Sequence, residues 1–442
     1  MRNTNRRRRL VRAAFFFACL GLPIPASAVA PVLHARLLRS TPAADARLTS
    51  APDTIRLVFS EPVVAELSQI TLTRSDGSVM QLRVGPHPRD SHVLVAPLGS
   101  LPVGNHRVAW RIVSADGHPV AGNFSFSVVA AVTDSPPISL IDSGTTPGVT
   151  GVSSPPPPAA AAAEQEMRTP RLVSVLRGLG LGAMMAGVGL LFFGSAAGSR
   201  RNLDPGSFVT RLFTVGAALL AAHMAAWLYH ISPGKGLSET LGSSVLMSTV
   251  GVVELVRVAL AVLALWVMAK GRHRIALMFG LTCLAVSGGI GHSAAVQPAF
   301  AIPAKIIHLI SASIWLGGLL WLVWTFRRDL TAFRIEARRV SSFASFALIA
   351  VVITGVVQTQ LFLGWPWDVF GTNYGRLVLA KIGGLIALAL LGGYNRFRLV
   401  PDLDDSRKGA RLSRSVVQEL VVMTAILLVS GFLANVPIPP PT

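Results

Sequence analysis

From about residue 171 the chain becomes a succession of long apolar segments, and this constrains the fold more than any other feature. The segments fall near residues 172–196, 208–230, 245–269, 274–291, 304–326, 341–363, 376–395 and 414–434. Most approach the roughly 20 residues that a helix needs to cross a hydrocarbon layer; the fourth is short. A bilayer offers backbone N–H and C=O groups no partner, so each segment must satisfy its own by coiling into a helix. A composition of 51% hydrophobic and 14% charged residues agrees. The expectation is a polytopic α-helical domain of about eight spans over residues 171–436, embedded in a lipid bilayer.

The formal net charge of +19 suggests nucleic acid until its placement is read. Six arginines lie in the first twelve residues, and most other cations mark loops between apolar segments. One such loop has Arg200 and Arg201, the next Lys270, Arg272 and Arg274, and a third Arg327, Arg328, Arg334, Arg338 and Arg339. Arg396, Arg398, Arg407, Lys408, Arg411 and Arg414 mark a fourth, whereas the loops between hold little beyond Lys235, Lys305 and Arg376. Basic loops remain cytoplasmic, so an even number of spans leaves both ends of the domain outside. No basic surface interleaved with aromatics occurs in the soluble part, so no nucleic-acid partner is expected.

Residues 1–30 read as a secretory leader: a basic stretch, an apolar run too short to span, then small residues at Ala26, Ser27, Ala28 and Ala30. Residues 31–130 carry a different periodicity. Apolar and polar residues alternate at 54–59, 69–73, 79–84, 92–95, 106–112 and 123–129, with turn residues such as Asp76-Gly77 and Gly85-Pro86 between them. Six or seven short strands at close spacing predict a small all-β sandwich or barrel, delivered outside the cytoplasm by the leader. Residues 131–170 are rich in Pro, Ala, Gly, Ser and Thr and read as a linker.

Two residue groups carry the candidate chemistry. In the β domain, Asp116 and His118 stand two apart in a short connection between two strand-like runs. An imidazole beside a carboxylate suits copper or zinc, although Asp-Gly is also a common turn dipeptide and an exposed His would satisfy the same spacing. In the membrane domain, His223 and His230 lie seven apart toward the outer end of the second span, with Met224 adjacent. His292 closes the fourth span and His308 lies about one turn into the fifth, so four imidazoles share a depth, with Met247 at a similar level. Such residues are either structural or a polar path for an ion. Glu254 and Arg257 are spaced to pair, Lys381 and Glu419 either pair or reach the interfaces, and the tryptophans 315, 321, 324, 365 and 367 suit an interfacial belt. Gly178, Gly182, Gly383 and Gly384 suit close helix packing.

Cys19 falls in the leader and Cys283 in a span, so neither a disulfide framework nor a cysteine metal site is available. No nucleotide-binding loop, nucleophile elbow or zinc-protease motif occurs, so the chain is not expected to be an enzyme.

The motifs together resemble a known family. His34, Ser40-Thr41-Pro42-Ala43, Leu57-Val58-Phe59-Ser60-Glu61-Pro62-Val63, Ser114-Ala115-Asp116-Gly117-His118-Pro119-Val120 and Gly122-Asn123-Phe124-Ser125-Phe126 resemble CopC, a periplasmic copper-binding protein. His308, Trp315-Leu316-Gly317-Gly318-Leu319, Thr354-Gly355, Thr372-Asn373-Tyr374-Gly375-Arg376, Lys381 and Asn395-Arg396 resemble its membrane partner CopD. The whole is similar to CopC–CopD fusion proteins, including YcnJ-type copper-uptake proteins. The resemblance implies an immunoglobulin-like or cupredoxin-like sandwich that holds Cu(II) through His34, Asp116 and His118. Leader cleavage after Ala28 or Ala30 would leave His34 short of the new amino terminus, which leaves its ring but not the terminal amine in the expected set. Met80 is the only methionine in residues 31–130, so no methionine-rich Cu(I) site is expected.

The functional expectation is Cu(II) capture by the β domain and copper transfer into or across the membrane by way of His223, His230, His292 and His308. Other periplasmic copper carriers are possible partners. Two other readings fit the same residues: a membrane haem protein using His223 and His308, or a membrane-anchored copper buffer or sensor without transport.

Overall fold

The computed structural model describes residues 35–114, 119–130, 165–166, 171–201, 204–231, 249–291, 293, 298–363, 371–401, 403, 406–434 and 436. Its first part consists of strands β1 (Leu37–Thr41), β2 (Arg47–Leu48), β3 (Thr54–Phe59), β4 (Gln69–Thr73) and β5 (Val79–Leu82). These are followed by β6 (Gly85–His87), β7 (Asp90–Pro97), β8 (Gly104–Val113), β9 (Pro119–Val128) and β10 (Gln165–Glu166). One sheet has the order β1-β3-β7-β6 and the other β10-β9-β8-β4-β5, with β2 lying parallel to β9.

Period-two burial explains the sandwich. In β3, Ile55, Leu57 and Phe59 are buried while Thr54 and Arg56 are exposed. They share one core with Ile70, Leu72, Val108, Trp110, Phe124 and Phe126 from the other sheet. Phe59 meets Trp110 edge-on at 5.3 Å, and Gly122 lies directly across the ladder from Trp110. A Cβ at Gly122 would stand 2.4 Å from the indole, so the ring occupies the space that a side chain would need.

The alternating runs expected from the sequence appear as β3, β4, β5, β7, β8 and β9. The strands it did not anticipate are short edge elements, whose pairing is set by neighbouring backbone rather than by their own pattern. One of them, β10, lies in the stretch expected to be linker and pairs with Val120 and Ala121.

Among the described residues the second part has eight α-helices: α1 (Arg171–Arg201), α2 (Gly206–Ile231), α3 (Thr249–Ala269), α4 (His273–Gly288), α5 (Pro298–Arg328), α6 (Leu330–Leu363), α7 (Asn373–Tyr394) and α8 (Ser406–Leu433). Seven are long and apolar enough to cross a membrane. The other, α4, has 16 residues. At about 1.5 Å per residue it falls short of a hydrocarbon core about 30 Å thick. α1 is packed against α2, α4, α5 and α8. At its crossing with α5, Gly189 and Gly317 oppose one another so closely that a Cβ on Gly317 would lie 2.0 Å from the Gly189 carbonyl carbon.

Three expectations change. The basic loop near residue 330 is almost entirely helical. Asp329 alone separates α5 from α6, and its carboxylate accepts from Thr331 N at 2.8 Å and Ala332 N at 3.0 Å, capping the new helix. Trp315 and Trp321 are buried rather than interfacial, and Trp321 Nε1 donates to Glu336 Oε2 at 3.1 Å. Gly178 and Gly384 do mark close helix contacts, but a Cβ at Gly383 would meet nothing within 4 Å.

Candidate functional site

The ladder between β8 and β9 ends at the pair Val113 and Pro119, so residues 114–118 form the connection that carries Asp116 and His118. Asp116 and His118, like His34, lie outside the described residues, but the frame around them is described. Arg36 N donates to Ser60 Oγ at 2.9 Å, and Ser60 N donates back to Arg36 O at 2.9 Å. Val63 forms a bridge with Ser114, Val64 N donates to Val113 O at 2.8 Å, and Val63 N donates to Ser91 O at 2.9 Å. The chain just after His34 and the chain just before Asp116 are therefore both tied to residues 60–64, at one end of the sandwich.

Two further side chains belong to this end. Glu61 is 5% exposed. It continues the inward parity of Ile55, Leu57 and Phe59, a signal that was available in the sequence. His92 Nδ1 lies 3.3 Å from Phe59 O. A carbonyl only accepts, so in the neutral ring Nδ1 carries the proton and Nε2 keeps a lone pair. Imidazole and carboxylate donors of this kind suit Cu(II).

The same end of the sandwich rests on the helices. Leu67 and Val113 share a buried cluster with Val173 of α1 and with Met224, Trp227, Leu228 and Ile231 of α2. Arg111 of β8 donates through Nη2 to the carbonyl oxygen of His230. Partial burial holds the Arg111 guanidinium below its ordinary pKa.

Beneath this contact lies a buried polar group that hydropathy alone does not assemble. His223, 2% exposed, meets the Val173 carbonyl through Nδ1 at 3.1 Å and Glu254 Oε1 through Nε2 at 3.6 Å. Arg257 Nη2 holds the other oxygen, Oε2, as the i,i+3 spacing predicted. Arg177 of α1 is buried close enough to act electrostatically on both His223 and Glu254. Lys305 was expected in an outer loop but lies in α5, where its Nζ donates to Ser293 Oγ at 3.1 Å and to the Ile290 carbonyl.

Of the expected path histidines, the three that lie among the described residues are held separately. His223 is buried among α1, α2 and α3, whereas His230 is half-buried at the α2 terminus with its carbonyl bound to Arg111. His308 of α5 pairs through Nδ1 with Thr354 Oγ1 of α6 at 2.9 Å. His292 lies outside the described residues. Among the described residues no three His, Cys, Asp or Glu side chains gather within reach of one metal ion.

Lys305, His308 and Trp315 recur at three and seven residues and so share a face of α5. Trp315 leads to a cavity of about 370 Å³ lined also by Ser341, Asn395, Arg396 and Glu419. Glu419 accepts from Asn395 Nδ2 rather than pairing with Lys381 as one expectation had it.

Comparison with known proteins fits both parts. Residues 37–129 match the CopC domain family, and residues 335–433 match the family of copper resistance protein D, CopD. The copper transport protein CutJ of Bacillus subtilis is 25% identical over 433 residues, covering 92% of this chain and 75% of its own. Copper resistance protein C of Escherichia coli is 36% identical over 109 residues, 23% of this chain and 86% of its own. Inner membrane protein YebZ of Escherichia coli K12 is 28% identical over 213 residues, 45% of this chain and 72% of its own.

Fold and site thus define a class: a polytopic membrane protein of the copper resistance and transport group, fronted by a small β-sandwich. Within it, the chain belongs to the CopC–CopD fusion family, carrying both domains in one polypeptide.

Proposed function

We propose that the sandwich captures Cu(II) on the periplasmic side of the inner membrane and passes copper to polar side chains in the helices directly below. His34, Asp116 and His118 hold the ion, and Glu61 adds a carboxylate at the same end of the sandwich. The receiving residues are His223, then His308, with Glu419 and its cavity toward the basic, cytoplasmic end. The observation that carries this reading is the seating of the sandwich. Val113, one residue before Ser114, packs in the same cluster as Val173, whose carbonyl pairs with His223. Val113, at the start of the connection that carries Asp116 and His118, and Val173, beside His223, thus share one buried cluster, which supports a short route between the two sites. The alternation of basic loops supports the orientation, and copper handling by the named relatives supports the cargo.

Copper accumulation in cells producing the full chain tests it. Expression is expected to change cell copper at least several-fold, and both His118→Ala and His308→Ala are expected to abolish the change. The sign of the change gives the direction of movement. Accumulation that is indifferent to His308 while Cu(II) binding persists would reduce the helices to an anchor.

A further inference from the structure

The sandwich holds its described histidines, His87, His92 and His106, in three different ways. His106 is enclosed in the core: it is 0% exposed, lies 5.4 Å from Phe126 between ring centroids, and donates through Nε2 to the Pro102 carbonyl at 2.8 Å. His87 sits at the turn between β6 and β7, where its Nδ1 accepts from Arg89 N at 3.4 Å. His92 is half-buried near the start of β7 and shares the alternation of Leu94 and Ala96, whose side chains lie in the core. Its Nδ1 donates to the Phe59 carbonyl at 3.3 Å, which in the neutral ring leaves a lone pair on Nε2. Among the described residues Nε2 has no hydrogen-bond partner. A backbone carbonyl that fixes one imidazole nitrogen and frees the other is the usual support of a metal-binding histidine.

From this the structure assigns His92 Nε2 as a further nitrogen donor to the captured Cu(II), an inference that rests on the capture reading above. Val63 brings His92 to the capture corner. Its N–H donates to Ser91 O, next to His92, and it bridges to Ser114, where the connection carrying Asp116 and His118 begins. Ser91 is in β7 of one sheet, whereas Ser114 follows β8 of the other, so residue 63 joins the two sheets at this end. Paired strands stand about 4.8 Å apart, so the backbones at 91 and 114 are at most roughly 10 Å from one another across Val63. Imidazoles reaching inward from the two sides of such a gap can share one ion, about 2 Å from each nitrogen. Glu61 is buried in the segment between them and has the inward parity of Phe59. A third imidazole beside these carboxylates makes a nitrogen-rich set, and a tetragonal shell of nitrogen and oxygen is what Cu(II) favours. The ion remains Cu(II), and no electron is transferred. Phe59 is a positioning residue, because its carbonyl decides which nitrogen of His92 is free.

The test loads the full chain in detergent with one equivalent of Cu(II) and compares it with its His92→Ala, His92→Asn, His87→Ala and His118→Ala forms. Pulsed electron paramagnetic resonance counts the imidazoles on the ion, and titration against a chelator gives the affinity. Three imidazoles are expected in the unmodified chain and two in either His92 variant, with affinity lower by about tenfold. His87→Ala is expected to change neither quantity. Asparagine places an amide nitrogen where Nδ1 stood, so it keeps the bond to Phe59 but offers no Nε2. Full affinity in His92→Asn, or an unchanged imidazole count in both His92 variants, would overturn the assignment. So would an equal loss in His87→Ala. The capture reading fails differently. An unmodified chain that binds no Cu(II), or an affinity independent of His118, removes both proposals, whereas indifference to His92 alone removes only this one.

Discussion

Arg111 of the sandwich donates a hydrogen bond to the backbone carbonyl of His230, the next-to-last residue of α2, and so clasps the β domain to the end of a membrane helix. A guanidinium capping a helix C-terminus meets both a bare carbonyl and the negative end of the helix dipole. The apolar contacts of Leu67 and Val113 beside it exclude water.

Arg111→Ala is therefore expected to loosen the seating without unfolding either part. A hydrogen bond to a charged donor contributes about 1.5–3 kcal/mol when well buried, and the half-exposed setting reduces that to about 1 kcal/mol. Hydrogen exchange should read this as roughly five-fold faster exchange at the C-terminal turn of α2, with Cu(II) affinity unchanged. Unaltered exchange would mean that the apolar cluster alone holds the two parts together.

Gly122→Ala addresses the sandwich core. The new methyl group would lie 2.4 Å from the Trp110 ring, which is itself packed on Phe59. Overpacking of this kind costs about 1–3 kcal/mol. The thermal transition of the β domain, followed by near-UV circular dichroism, is expected to fall by about 5 °C or more.

Among the helices, two glycines predict opposite outcomes. Gly317→Ala places a methyl group against the Gly189 backbone at the crossing of α1 and α5, where neither helix can yield, and should abolish monodisperse folded protein. Gly383→Ala meets nothing within 4 Å and is expected to be neutral, or stabilising by up to about 1 kcal/mol through helix propensity. Size-exclusion profiles and thermal stability in detergent distinguish the two.

These contrasts also show what the sequence could carry. Period-two burial in β3 and β8 and the apolar length of the helices are local patterns, and they were legible. For the proposed capture corner, the sequence offers Asp116 and His118 as a motif, whereas Glu61 emerges only by following the parity of β3 two residues past Phe59. The Gly189–Gly317 crossing and the meeting of His223 with Glu254 depend on which helix faces which, and periodicity along one segment does not encode that. Trp321 was misplaced for the same reason, since the Glu336 that satisfies its indole arrives from another helix.

Glu61→Gln tests the carboxylate that parity points to. Removing its charge while keeping its shape is expected to weaken Cu(II) binding by about three- to ten-fold in competition titrations, less than His118→Ala, because an imidazole is the stronger copper donor. Chelator treatment should return both variants to the same metal-free stability. Affinity equal to that of the unmodified chain would make Glu61 part of the sandwich frame alone.

The deeper imidazole gives the last prediction. Thr354 Oγ1 donates to the Ala350 carbonyl at 2.6 Å, so its remaining capacity toward His308 is to accept. His308 Nδ1, 2.9 Å away, must then be the donor, which leaves Nε2 as the nitrogen free to meet copper. Thr354→Ser keeps this arrangement and is expected to preserve copper accumulation. Thr354→Val fills the same volume but removes the acceptor, so either nitrogen can carry the proton and the ring loses its anchor. Accumulation should fall several-fold while folding and Cu(II) capture by the sandwich stay intact. Equal accumulation in the serine and valine variants would show that the orientation of His308 does not govern passage.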